Sequence, residues 1–306
     1  MKILFVSSGN RGLTPIIHNQ GESLKVQGND VEYFLIKGKG VLGYLSNIQR
    51  LKKYLNENHF DVIHAHYSLT AFVVSMAQAK PLVVSLMGSD VKKGWIYRII
   101  IKLFAIFFSW KTIIVKSEDM KKSLKIDKAM VIPNGVDMQR FIEKDRVECR
   151  KKLGWNEKKK HILFPADITR PEKNFSFLEK TVTELQYNNI EIHWFNNLPN
   201  EETPFWYNAS DLVVMTSLWE GSPNAIKEAM CCNCKIVSTN VGNVQWLFGD
   251  TSGCYITDFT TSDCANKIRN ALSYNGKING RQRIINLGLS NDLVAKRLIK
   301  IYETVL

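Results

Sequence analysis

The sequence predicts an α/β protein with two doubly wound parallel-sheet domains. Three observations carry that reading. Short apolar runs alternate with helical patterns from end to end. The alternation pauses at the turn cluster Pro133-Asn134-Gly135-Val136-Asp137, then restarts. The chain has 306 residues and 45% hydrophobic content, more naturally two cores than one. The expected domains are 1–140 and 141–290.

Strands are expected in the first half at Lys2–Val6, Val31–Ile36, Asp61–Ala65, Leu82–Leu86, Thr112–Val115 and Ala129–Ile132. Helical patterns fill the gaps, for example Ile48–Asn56 and Thr70–Ala79. Trp95–Trp110 is apolar nearly all round. As a helix it spans about 24 Å, short of the roughly 30 Å of a bilayer core, and it contains Arg98 and Lys102. It is not expected to cross a membrane. Two readings stay open: a buried helix, or one dipping into the interface with Trp rings at headgroup level. A charged helix is expected at Arg146–Leu153. Strands follow at His161–Pro165, Glu191–Phe195, Leu212–Met215, Lys235–Ser238 and Cys254–Thr257. Helices are expected at Asn174–Leu185, Asn224–Met230, Ser262–Ser273 and Asp292–Val305.

Net charge is +12 and unevenly spread. Residues 1–135 hold 19 Lys and Arg against 9 Asp and Glu; residues 136–306 hold 22 against 20. A basic first half fits an anionic partner, such as a membrane surface or a phospholipid-linked substrate. Nucleic acid is disfavoured, because the basic half lacks the interleaved aromatics of a base-stacking platform. The six cysteines have no paired metal-ligand spacing, so reduced buried thiols are expected and a zinc site is not. Strand-like Lys2–Val6 opens the chain in place of a signal-peptide pattern. The expected location is the cytoplasm, extending to the inner face of the membrane.

Open parallel sheets bind ligands beyond the carboxyl ends of their strands, so polar residues just after strands are the candidates. Thr216–Thr239 is the most informative stretch. Glu220 and Glu228 lie eight positions apart, across the turn Gly221-Ser222-Pro223-Asn224. The turn offers backbone N–H groups at a helix start, suited to a phosphate or a sugar hydroxyl. The carboxylates suit polyol hydroxyls. Glu228 has Ala225, Ile226, Ala229 and Met230 as neighbours, and an idle carboxylate on so apolar a helix would cost free energy. Arg170 and Lys173, ahead of another helix, form a candidate diphosphate clamp. In the first half, Asn10, Arg11 and Gly12 follow the first strand. His64 and His66 end the third on one face, with Asp61 alone too little for a metal site. Asp90 either caps the helix after it or contacts ligand. A sugar nucleotide fits this set best.

These motifs resemble the retaining glycosyltransferases of family 4, which have the two-Rossmann-domain GT-B fold with a central cleft. The resemblance rests on Glu220–Glu228 as an E-x7-E element, Val131–Asp137 at the junction, Arg170-x-x-Lys173-Asn174, and Asn240–Asn243. It implies that Glu228 binds ribose hydroxyls and that Glu220, with Gly221–Asn224, holds the donor sugar. Arg170 and Lys173 would stabilise the leaving diphosphate. No metal or cofactor is implied. The terminal helix, 291–306, would pack back on the first domain. UDP-sugar is the first expected donor and GDP-sugar the second; the expected acceptor is a glycan or lipid-linked glycan. Where the family often has His-Gly this chain has Met87-Gly88, so His66 or Asp90 would have to compensate. The second domain also lacks a strand–helix unit usual between Phe195 and Asp211. The rival expectations are a GT-B sugar-nucleotide epimerase and a catalytically silent GT-B binding protein.

Overall fold

The structure is a computed structural model that describes residues 1–306 apart from Arg11, Lys93, Ser109 and Asn188. It divides into two compact units, Met1–Gly135 with Asn291–Leu306, and Val136–Ser290.

The first unit holds strands β1 (Lys2–Ser8), β2 (Asp30–Ile36), β3 (Val62–His66), β4 (Leu82–Ser85), β5 (Thr112–Val115) and β6 (Met130–Val131). They form one parallel sheet in the order β2-β1-β3-β4-β5-β6. Successive side chains in a strand point to opposite faces, so both faces must be covered. Leu4, Val6, Ile63, Ala65 and Val84 pack on one face with Ala71, Val73 and Val74 of the helix Ser68–Met76. Ile3, Phe5, Val62, Val83 and Ile114 pack on the other. There they meet Ile17 and Leu24 of the helix Pro15–Val26, and Val294, Leu298 and Ile301 of the terminal helix Asn291–Glu303. Gly135 admits the start of that terminal helix: a Cβ on it would lie 2.6 Å from Asn291 Oδ1 and 2.8 Å from its Cα.

The second unit holds β7 (Lys160–Phe164), β8 (Ile190–Trp194), β9 (Leu212–Met215), β10 (Ile236–Thr239) and β11 (Cys254–Thr257). Its sheet is parallel, in the order β11-β10-β9-β7-β8. Ile162, Phe164, Val214 and Val237 pack against Leu178 and Ile268 of the helices Phe175–Leu185 and Thr261–Ser273. Leu163, Val213 and Met215 pack against Ile226, Met230 and Ile284 on the opposite face. The cysteines are free; five are buried and Cys254 is half-buried.

Both sheets obey one rule. The second strand in sequence lies on one side of the first, and later strands lie on the other. The chain therefore reverses direction of build between β1 and β3, and between β7 and β9. Crevices form at such reversals, beyond the carboxyl ends of the strands.

The segment Trp95–Phe107 is one helix with only Ile101 and Ala105 buried. Trp95, Ile96, Ile99, Leu103, Ile106 and Phe107 are exposed. Their spacing puts them along one stripe of the helix. The fully buried reading of this segment is corrected: one face packs inward, and an apolar face looks out. No helix among the described residues is long and apolar enough to cross a membrane.

Candidate functional site

In the second unit, the loops after β7 and β9 are sewn together at the reversal point. Thr216 Oγ1 donates to the carbonyls of Lys173 (3.1 Å) and Asn174 (3.0 Å). The Leu218 N–H donates to the Glu172 carbonyl at 2.9 Å. This fixes the short 3₁₀ turn Pro171–Lys173 against the loop carrying Glu220. Lys173 Nζ then pairs with Glu220 Oε1, and Ser217 Oγ donates to the same oxygen at 2.9 Å. Both side chains of this ion pair are mostly buried, 15% and 16% exposed. A partly desolvated pair interacts more strongly than a surface pair and holds a tighter geometry.

The loop after β10 closes the other side. Thr239 Oγ1 donates to the Ser217 carbonyl at 2.7 Å. Gly242 has φ +61°, and a Cβ there would sit 2.5 Å from the Gly221 carbonyl oxygen. Only glycine allows that approach. Gly221, Ser222 and Pro223 are buried beneath it. The helix Asn224–Cys231 starts here with Pro223 at its cap position and no side-chain cap, so no side chain at that position satisfies the first-turn N–H groups. Around this helix start Ser222 Oγ, Asn224 Oδ1 and both polar atoms of the Asn243 side chain are buried without a partner. Buried polar atoms without partners are rare in folded proteins, and a cluster of them is an unfilled set of hydrogen bonds.

Glu228 lies one turn further along. Its Oε2 accepts from the Tyr207 hydroxyl at 2.9 Å. Burial pushes its carboxyl above the ordinary value, while Tyr207, Lys227 and Arg140 pull it back. Arg170 is in the right turn, but its guanidinium folds onto Glu172, with Nε 2.9 Å from Oε1. It remains 47% exposed, so the contact is a weak surface one. The structure thus joins Lys173 directly to Glu220 and sets Gly221, Ser222, Pro223 and Asn224 beside them. It pairs Arg170 with Glu172 and Glu228 with Tyr207. The fixing partners Ser217, Tyr207 and Glu172 were given no role from the sequence; a carboxylate two residues from Arg170 was the one readable signal among them.

The first unit is different. Asn10 spends its amide on backbone: Nδ2 donates to the Gly38 carbonyl and Oδ1 accepts from the Gly38 N–H, both at 2.8 Å. Gly12 is an exposed turn glycine with φ +77° and nothing near its Cβ position. Arg11 lies outside the described residues. The expectations for His66 and Asp90 need correction, because both sit inside. His66 is 1% exposed, its ring stacks on His64 with centroids 4.2 Å apart, and neither ring nitrogen has a partner. Burial, aided by Lys116, pushes it down to about 3. A neutral, enclosed imidazole is poorly placed to give or take a proton. His64 is bonded on both nitrogens, to Tyr302 (2.6 Å) and Ser85 (2.8 Å). Asp90 is fully buried and accepts from the N–H and hydroxyl of Ser68 and from the Met87 N–H, a strut between two loops. In this conformation neither side chain is placed for the compensating role that the resemblance implied for it beside Met87.

Two family models match the chain. One, Glycosyltransferase Family 4, covers residues 15–140; the other, Glycosyl transferases group 1, covers residues 172–288. Solved structures agree across 99% of the chain. Sucrose-phosphate synthase of Thermosynechococcus elongatus superposes with a TM-score of 0.84 at 15% identity, over 99% of each chain. Anabaena HepE, solved with UDP and glucose, gives 0.79 at 17% identity, over 99% of this chain and 100% of that one. The chain has the GT-B glycosyltransferase fold. Among curated proteins, this GT-B chain is 27% identical over 216 residues to a Bacillus subtilis protein named for teichuronic acid biosynthesis, the glycosyltransferase TuaC. It is 25% identical over 251 residues to an Escherichia coli enzyme, UDP-Gal:alpha-D-GlcNAc-diphosphoundecaprenol alpha-1,3-galactosyltransferase. These alignments take in 62% and 66% of this chain, and 55% and 64% of the relatives, so the GT-B chain spans under two thirds of the curated proteins it matches.

Proposed function

We propose that this chain is a retaining glycosyltransferase. It moves a hexose-type sugar from a nucleotide diphosphate donor, UDP-linked ahead of GDP-linked, to a glycan or lipid-linked glycan in cell-surface polysaccharide synthesis. One observation carries the reading: the Lys173–Glu220 pair beside an uncapped helix start ringed by unpartnered Ser222, Asn224 and Asn243, at the sheet's reversal point. That set offers a cation and N–H groups for a diphosphate and acceptors for hydroxyls. Arg170 would swing from Glu172 to the diphosphate, and with Lys173 would stabilise the charge that develops as it leaves. Glu228, its second oxygen steadied by Tyr207, would take ribose hydroxyls. The names of the two curated relatives and the UDP complexes of HepE support donor and acceptor classes.

A thermal-shift series against UDP-, GDP- and ADP-sugars tests the donor, since a ligand that binds only the native state raises Tm. A UDP-sugar is expected to give the largest rise, and Glu228→Gln to weaken that ligand about tenfold or more. No shift with any nucleotide sugar, or an unchanged Glu228→Gln, removes the assignment. A second reading, a silent sugar-nucleotide binder, draws on Met87 and the enclosed His66. Slow release of free sugar from bound donor without acceptor separates the two, because a silent binder releases none.

The exposed stripe of Trp95–Phe107 supports peripheral contact with an anionic membrane, where a lipid-linked acceptor would be met. Arg98 and Lys102 flank it, and a hollow of about 250 Å³ beside it is lined by Trp95, Arg98, Ile99, Lys102 and Lys125. Full-chain protein is expected to float with anionic vesicles at low salt and to leave at high salt, and Leu103→Glu to abolish flotation. Flotation of the variant equal to the parent rejects this helix as the contact.

A further inference from the structure

The outer edge of the second sheet carries a cluster that the sugar-nucleotide reading does not use. His161 is the second residue of β7, and Glu191 and His193 lie on the edge strand β8. The parallel register sets His161 beside Glu191. Residues two apart in a strand share a face, so Glu191 and His193 point the same way. The result is a converging trio: His161 Nδ1 lies 2.8 Å from His193 Nε2 and 3.6 Å from Glu191 Oε2, and His193 Nε2 lies 3.9 Å from Glu191 Oε2. A tetrahedral ion bound at about 2.0–2.1 Å keeps its ligand atoms about 3.3 Å apart, inside the range these three distances span.

The surroundings orient the ligands. His161 Nε2 faces the Asn156 carbonyl at 2.9 Å, and a carbonyl can only accept. In the neutral ring the proton therefore sits on Nε2, and Nδ1 presents its lone pair to the trio. That is the outer-shell arrangement that fixes the tautomer of a metal-bound histidine. The Trp155 ring stacks on His193 at 3.6 Å and 8°, holding its plane. Lys159 takes Glu191 Oε1 at 2.6 Å and leaves Oε2 to the histidines. His161 is fully enclosed, while His193 and Glu191 keep 17% and 33% side-chain exposure, which gives an ion a way in and a water a fourth position.

We propose that His161, Glu191 and His193 form a binding site for a divalent transition-metal ion of the zinc class, clamping the edge strand β8 to β7. His161 lies at the amino end of β7, whereas Lys173 follows its carboxyl end, so this site is separate from the donor site. On binding, the hydrogen bond between the two rings is given up. The proton on His193 Nε2 moves to its other ring nitrogen, and both freed lone pairs go to the ion.

The test uses the full chain, stripped with chelator and titrated with Zn²⁺ or Co²⁺. One equivalent is expected to bind, and Tm to rise by at least about 3 °C. The Co²⁺ form is expected to show a visible spectrum without a thiolate charge-transfer band, since no cysteine is in the trio. His193→Gln and Glu191→Gln, both partly exposed positions, are each expected to weaken binding at least about tenfold. Nucleotide-sugar binding should stay unchanged in both, which separates this site from the donor reading. Binding equal to parent in His193→Gln, a thiolate band, or no binding at all overturns the proposal.

Discussion

The two units build their sheets in the same order and reverse at corresponding places, yet they furnish those places with opposite chemistry. At the β7/β9 reversal an ion pair, an uncapped helix start and several unpartnered polar atoms stand together. At the β1/β3 reversal the strand ends in two stacked histidines sealed beneath Phe5 and Tyr302, and the loop asparagine is spent on Gly38. Fold topology thus marks where a ligand can sit, and loop residues decide whether one is held. The charge bias runs the other way: the first unit is the more basic, but its buried Lys116 is hidden in the core.

The comparison breaks most sharply at Lys173. If the second reversal point handles a departing diphosphate, Lys173→Ala removes a preorganised positive charge and leaves Glu220 mostly buried without its cation. Turnover is expected to fall about 10²–10³-fold, with a smaller change in donor affinity. Initial rates and calorimetry on the variant check this. A change confined to affinity would make the pair a binding strut rather than part of the chemistry.

A middle-sized effect belongs to the first unit. Burial pushes Lys116 down to about 7, against the pull of Asp90. The unfolded chain holds that proton up to the ordinary lysine value of 10.5. Between those two values the unfolded state binds more protons than the native one, so stability rises with pH across this window. Below pH 7 both states carry the proton, and this dependence disappears. The unfolding midpoint of the parent should climb from pH 7 to pH 9, and Lys116→Met should flatten the climb. An equal climb in the variant would mean that Lys116 stays charged in the folded core.

How much of this was legible beforehand follows from what decides each feature. Among the described residues all eleven strands stood within about two residues of their observed ends, because most of them are the short apolar runs that a covered parallel sheet requires. The short helices Val244–Phe248 and Gly280–Asn286 were not anticipated; neither is long enough to establish an amphipathic period. The residue types of the proposed donor site were legible as separate motifs. Their pairing was not, since it depends on Thr216 and Leu218 reaching residues over 40 positions away. Period-two spacing placed His64 and His66 on one face correctly. Whether that face is wet was settled by Tyr302, 238 positions on. The metal-like trio escaped because each member looked ordinary within its own strand.

The smallest expected effect sharpens the comparison most finely. Asn10 lies in the loop that follows the first strand of the first sheet, and Lys173 in the longer segment that follows the first strand of the second. If Asn10 only ties the loop after β1 to the loop after β2, Asn10→Ala removes two backbone-directed hydrogen bonds at a solvent-exposed site. The expected loss is about 1 kcal/mol, or roughly 2–4 °C in Tm, with turnover within about twofold of the parent. Thermal unfolding and initial rates on one preparation give both numbers. A fall in turnover above about tenfold with Tm unchanged would assign Asn10 to substrate, and the first reversal point would then hold ligand through its loop rather than through the strand-end histidines beneath it.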